Sequence, residues 1–290
     1  MATILVHIAL LAYAAAAAAY LTWLVRPREW LVHAGRALLL VGLVLHLGSF
    51  AAGLSLSQGE GLARVGFGSD AWKGGQLFSL LAAATVAGYL ALDLRYRLPV
   101  AGAFVAPVTV AVMVPAHLVH GGTRAIAPAL THSTALAVHV FAAAAGTAAL
   151  ALAFALSLLY LAGEKQLKSK HPGRLFARLP SLELIDRVGW HLSVWGFVFL
   201  SVAIATGSFV SQESSGSAFP IAPKEGFAIL AWALLAGMIQ ARLVAGWRGR
   251  RLALLVVAGF LLLVGTYAGL LAAPQKVASA AAALFAPGRS

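Results

Sequence analysis

The fold class this sequence predicts is all-α: a polytopic membrane bundle of eight spanning helices with both termini outside. Three observations predict it. The 290 residues are 61% apolar and only 10% charged, with a mean hydropathy of +0.89, far from the composition of a soluble globular domain. Apolar runs of about twenty residues, enough to cross a bilayer, recur along the chain. The Lys and Arg residues collect in alternate gaps between those runs, as the positive-inside rule requires.

The first run covers about Ala2 to Leu24 and is followed, not preceded, by basic residues, Arg26 and Arg28. That is the reverse of a signal peptide, and it sets the N-terminus outside. The second run, about Ala37 to Leu56, returns outward to a polar, Gly-rich loop, Ser57 to Gly75. The third, about Gln76 to Leu92, descends to a turn with Arg95 and Arg97, and the fourth, about Val100 to Val119, rises to the loop His120 to Ser133. The fifth, about Thr134 to Leu161, is the longest and leads into the largest inner loop, Glu164 to Val188. Within that loop Leu179-Pro-Ser-Leu-Glu-Leu-Ile-Asp-Arg187 reads as a short helix along the membrane surface.

A sixth run, about Gly189 to Val210, precedes an outer loop, Ser211 to Lys224. The seventh and eighth form a hairpin within Glu225 to Leu270, closed by the basic turn Gly246-Trp-Arg-Gly-Arg-Arg251. Residues 273–290 make an outer tail, and residues 1–290 form one membrane domain. This threading puts fifteen of the 21 Lys and Arg on the inner side and six outside, an asymmetry that an odd number of spans would scramble. The net charge of +12 is therefore explained by topology, and no nucleic-acid patch is called for.

The interior of the spans narrows the function. All nine acids fall in loops or at helix ends, which argues against a proton- or sodium-coupled carrier. Cysteine is absent, so thiolate metal sites, thiol chemistry and a CxxCH haem attachment are excluded. Histidine is what the spans do contain: His7 in the first, His46 in the middle of the second and His139 in the outer third of the fifth, with His117, His120 and His132 near the outer face.

Imidazole can be buried neutral in a bilayer and still ligate iron. A haem asks for one or two axial imidazoles, an apolar slot and a cation for its propionates. His139 with His120 or His132, and Arg124 or Arg64, would meet that list. A helix-packing role for each of these histidines stands beside it. Trp195 and Trp232 divide in the same way between walling a slot and packing helices.

Several segments together resemble the cytochrome c assembly protein family, which includes the CcsA/ResC haem-handling proteins and smaller HemX-like relatives. They are His139 in a long helix, the Leu-Tyr-Leu-Ala-Gly-Glu-Lys exit at its end, Leu179–Arg187, the Trp195–Phe209 span and the hairpin with its Gly-Trp-Arg-Gly-Arg-Arg turn. The resemblance is clearest over residues 136–270.

It implies non-covalent haem held at the outer face, with His139 matching the first outer histidine and His46 an intramembrane one. The tryptophan-rich loop of the larger members is missing from Gly207 to Gly226, and Gln240 stands where a further histidine is expected. That places the chain nearer the HemX-like branch. The implied role is accessory, not catalytic: binding and presenting haem in the cytoplasmic membrane, with another membrane biogenesis subunit and apocytochrome c as partners. The alternative is a haem-free regulatory protein whose inner loop, residues 164–188, docks a cytoplasmic partner.

Overall fold

Lipid offers no hydrogen-bond partners, so a chain this apolar must satisfy its backbone internally, as helices or as a closed barrel. The computed structural model, which describes residues 2–55, 75–118, 134–169, 179–215 and 223–272, takes the helical solution, with no strand among the described residues. The helices are α1 (Ala2–Val25), α2 (Glu29–Ser55), α3 (Gly75–Tyr96), α4 (Pro99–Leu118), α5 (Thr134–Lys168), α6 (Leu182–Ser215), α7 (Pro223–Ala245) and α8 (Arg250–Ala272). Six of them, α1, α2, α3, α5, α6 and α7, are long and apolar enough to cross a membrane.

The helices follow the eight apolar runs but differ at their ends for local reasons. Helix α2 begins at Glu29, whose carboxylate suits the positive end of the helix dipole. Helix α4 starts on Pro99, whose missing N–H costs nothing in the first turn. The segment Leu179–Arg187 is no separate surface helix. The Ser181 hydroxyl accepts from the Leu184 N–H at 3.3 Å, an N-cap, and Leu182 opens α6, which continues without a break to Ser215. That extension also shortens the predicted outer loop.

Two apolar packs share α5. One is built mainly from α1 to α4, around Tyr13, Tyr20, Leu39, Tyr89, Leu98 and Met113, and α5 adds Leu152, Leu156 and Leu159. The other joins α5 to α6, α7 and α8 around Leu150, Leu200, Leu235, Met238, Val256 and Phe260. Small residues let α5 and α6 meet closely, as membrane packing favours. A methyl on Gly196 would stand 2.6 Å from Leu150 Cγ, and one on Gly146 3.1 Å from the Leu200 nitrogen. Outward, α2 exposes Leu40, Val41, Val44 and Leu47, and α6 exposes Trp195, Val198, Val202 and Phe209, surfaces whose natural solvent is lipid.

The α7–α8 turn needs its two glycines. Gly246 and Gly249 have φ of 65° and 67°, the left-handed region that ends helices at little cost only for glycine. Gly249 also lies against Tyr160 of α5, so that an added methyl would be 2.6 Å from the phenol oxygen. Gly249→Ala is expected to cost about 1–3 kcal/mol from the backbone alone, read as a lowered unfolding midpoint in detergent. An unchanged midpoint would mean that the turn relaxes without cost.

Candidate functional site

Histidine chemistry depends on what holds each ring nitrogen, and the two intramembrane histidines are held differently. His46 is fully buried. Its Nδ1 is hydrogen-bonded to the Tyr13 hydroxyl of α1 at 3.3 Å, its Nε2 contacts the Ser79 hydroxyl of α3, and its ring stacks on Phe50 with centroids 5.4 Å apart. A neutral imidazole donates from one nitrogen and accepts at the other. Both of those functions are in use here, joining α1, α2 and α3.

His139 is half-buried near the start of α5. Its Nδ1 lies 2.7 Å from the Ala203 carbonyl of α6. A carbonyl only accepts, so Nδ1 carries the proton and Nε2 keeps the lone pair. Gly207, one turn further along α6, makes room for the ring: a methyl there would be 2.8 Å from Cε1 and 2.9 Å from Nδ1. An N–H held by a carbonyl, with the opposite nitrogen basic, is the usual arrangement around a metal-binding histidine.

The two rings belong to different helix neighbourhoods. His46 sits among Tyr13, Phe50 and Ser79, and His139 against Ala203 and Gly207. His120, Arg124 and His132 lie outside the described residues. Among the described residues no three of His, Cys, Asp and Glu gather as a metal cluster. A porphyrin iron brings four nitrogens of its own and asks the protein for only one or two, so the donor chemistry of His139 fits such a group.

Two cavities lie toward the other end of α5, roughly 30 Å from His139 at about 1.5 Å of rise per residue. One, of about 30 Å³, is lined by residues including Ser157, Tyr160, Trp190, Ser193, Met238 and Arg242. The other, of about 280 Å³, is lined by Tyr160, Leu182, Glu183, Asp186, Arg248 and Gly249. Neither is lined by a histidine. Trp195 is 60% exposed, and Trp232 stacks on Phe197 while donating to Ser201 Oγ at 2.8 Å. Both positions are those of lipid-facing and packing residues.

Sequence reasoning missed an ion pair whose carboxylate is buried and whose guanidinium is partly exposed. Arg36 of α2 meets Asp93 of α3 through two hydrogen bonds, Nε to Oδ2 at 2.5 Å and Nη2 to Oδ1 at 3.2 Å. Asp93 is only 4% exposed. The hydroxyls of Tyr20 and Tyr89, 3.3 Å apart, lie in the same helix pack. Asp93 reads as a residue at the end of a span and Arg36 as one more inner-side cation, and nothing local in the sequence pairs them. The Ala203 and Gly207 seat of His139 was missed too, although a glycine inside an apolar run is the sort of signal that marks a close approach.

Comparison with known proteins adds a family. The family described as Cytochrome C assembly protein matches residues 71–272. The cytochrome c biogenesis protein CcsA of Synechococcus sp. (strain CC9902) is 32% identical over 165 residues, 50% of this chain and 54% of that protein. Its counterpart in Trichormus variabilis is 34% identical over 92 residues, 32% of this chain and 26% of the relative. The one in Gloeothece citriformis is 31% identical over 101 residues, 35% and 31% respectively. The matched part thus spans between 26% and 54% of those relatives' length. No solved structure matches the chain.

Proposed function

This chain belongs to the cytochrome c assembly protein family, and on that premise we propose that it is a haem-handling factor of the cytoplasmic membrane, crossing it eight times with both termini outside. Haem is the cargo, held non-covalently at the outer face through Nε2 of His139 and presented to apocytochrome c beside a second membrane biogenesis subunit. The observation that carries this reading is the donation from His139 Nδ1–H to the Ala203 carbonyl, 2.7 Å. It fixes the tautomer and raises the basicity of the opposite nitrogen.

His120 or His132 supplies the other axial nitrogen, and Arg124 a cation for the propionates. All three precede α5 directly in the chain, within a short tether of its first turns. In this reading His46 ligates iron only by giving up its Ser79 contact. The chain contributes ligation and presentation. The thioether bonds form on the cytochrome's own cysteines, as this chain has none.

The test is the visible spectrum of protein purified from a haem-replete membrane, with and without reductant. A Soret band with reducible low-spin features is expected. A preparation that is colourless, and stays so when hemin is added, overturns the proposal. A second expectation concerns the seat of the ring: Gly207→Val pushes the imidazole away from Ala203 and lowers hemin affinity by about 10–100-fold in a titration of the purified protein. Equal affinity would separate the seat from ligation.

A further inference from the structure

The strongest surface feature that haem handling leaves unused is the turn between α7 and α8. One carboxylate braces it. Asp186 of α6 accepts from the Gly249 N–H at 3.1 Å and pairs with Arg242 of α7 at 3.1 Å. The Arg242 guanidinium in turn lies 4.5 Å from the centroid of the Trp190 ring. The turn is thus tied to α6, and the side chains it carries stand on a fixed frame.

Those side chains are an unbalanced positive charge. Arg248, Arg250 and Arg251 are exposed. The neighbouring acids already have cations: Asp186 has Arg242, Glu183 has Arg187 at 2.6 Å, and Glu164 has Lys168 at 2.6 Å. Among the described residues no carboxylate pairs with any of the three arginines. Arg248 also lines the cavity of about 280 Å³ beside the turn.

Apolar surface adjoins the cations. Leu243 and Val244, in the last turn of α7, are 70% and 82% exposed, and Leu254 in the second turn of α8 is 47% exposed. Between them Trp247 is partly exposed, with the Arg251 guanidinium 5.2 Å from its ring centroid. An indole beside cations at the end of a span is the usual marker of headgroup depth. A soluble anion would need only the arginines. A cationic cluster continuous with greasy helix surface suits a molecule that is anionic at one end and hydrocarbon at the other.

We propose that the α7–α8 turn is a binding site for an anionic glycerophospholipid, its phosphodiester held by Arg248, Arg250 and Arg251 and its acyl chains lying along Leu243, Val244 and Leu254. The site requires that α7 cross the membrane, for which it is long and apolar enough, and it is independent of whether haem binds.

The test is native mass spectrometry of the full-length protein released from detergent with equal phosphatidylglycerol and phosphatidylcholine. Preferential retention of phosphatidylglycerol is expected in the wild type, and equal retention of the two lipids overturns the proposal without recourse to any variant. Arg248→Gln and Arg250→Gln should each cut the preference about fivefold. Arg26→Gln, which removes an exposed cation in the α1–α2 turn away from this site, should leave it unchanged. Loss of the preference in Arg26→Gln to the same degree would show a diffuse charge effect and no site. Displacement of the lipid by inorganic phosphate at millimolar concentration would show a free-anion site and overturn the lipid assignment.

Discussion

Arg36→Ala is expected to cost about 3–5 kcal/mol of stability, the penalty of leaving a buried charge without its partner. Asp93 is 4% exposed, and the guanidinium satisfies both its oxygens. Once the arginine is gone, the carboxylate must stay charged in an apolar pack, take up a proton, or pull α2 away from α3 to reach water. Each course weakens the α1–α4 pack. The double variant Arg36→Met with Asp93→Leu should recover most of the loss, because well-packed apolar residues often replace a buried pair at no net cost. The measurement is unfolding in detergent for both single variants and the double. Single variants within about 1 kcal/mol of wild type would mean the pair is as inconsequential as an exposed one.

His139→Ala is expected to abolish the Soret band, whereas His46→Ala should keep it and lose stability instead. The contrast follows from the ring nitrogens. The tautomer of His139 is set by Ala203, which leaves the lone pair on Nε2. Both nitrogens of His46 are spent on Tyr13 and Ser79. Removing that imidazole strands two hydroxyls among α1, α2 and α3, at about 1–3 kcal/mol for each buried group left unsatisfied. Hemin titration and unfolding of the same two variants separate the roles. A band that survives His139→Ala would remove the axial ligand from the proposed function, and a band lost in a stably folded His46→Ala would return His46 to the ligand set.

The two histidines also show how far a sequence can be read. Imidazole in a span is conspicuous because the surrounding residues are apolar, so His46 and His139 stand out by composition alone. Their different surroundings do not. Tyr13 and Ser79 are each 33 residues from His46, and Ala203 is 64 residues from His139. Leu179–Arg187 went astray for the opposite reason. Its alternation of leucines with charges is amphipathic, and a surface helix explains it locally. Only its continuity with the next span turns it into the first turns of α6, where Asp186 can brace the α7–α8 turn.

By itself the sequence determined the class and the sites of the helices. Hydropathy over about twenty residues is a local quantity, and a backbone in lipid has few ways to satisfy its hydrogen bonds. It also determined which chemistry was possible, since the absence of cysteine and the presence of intramembrane histidine are facts of composition. The tertiary structure alone decided which helices meet and at what rotation. Those two variables pair Arg36 with Asp93 across 57 residues, engage both nitrogens of His46 and seat His139 on α6. Interhelical contact in a bundle depends on crossing geometry and side-chain shape, and neither is written in any single stretch of chain.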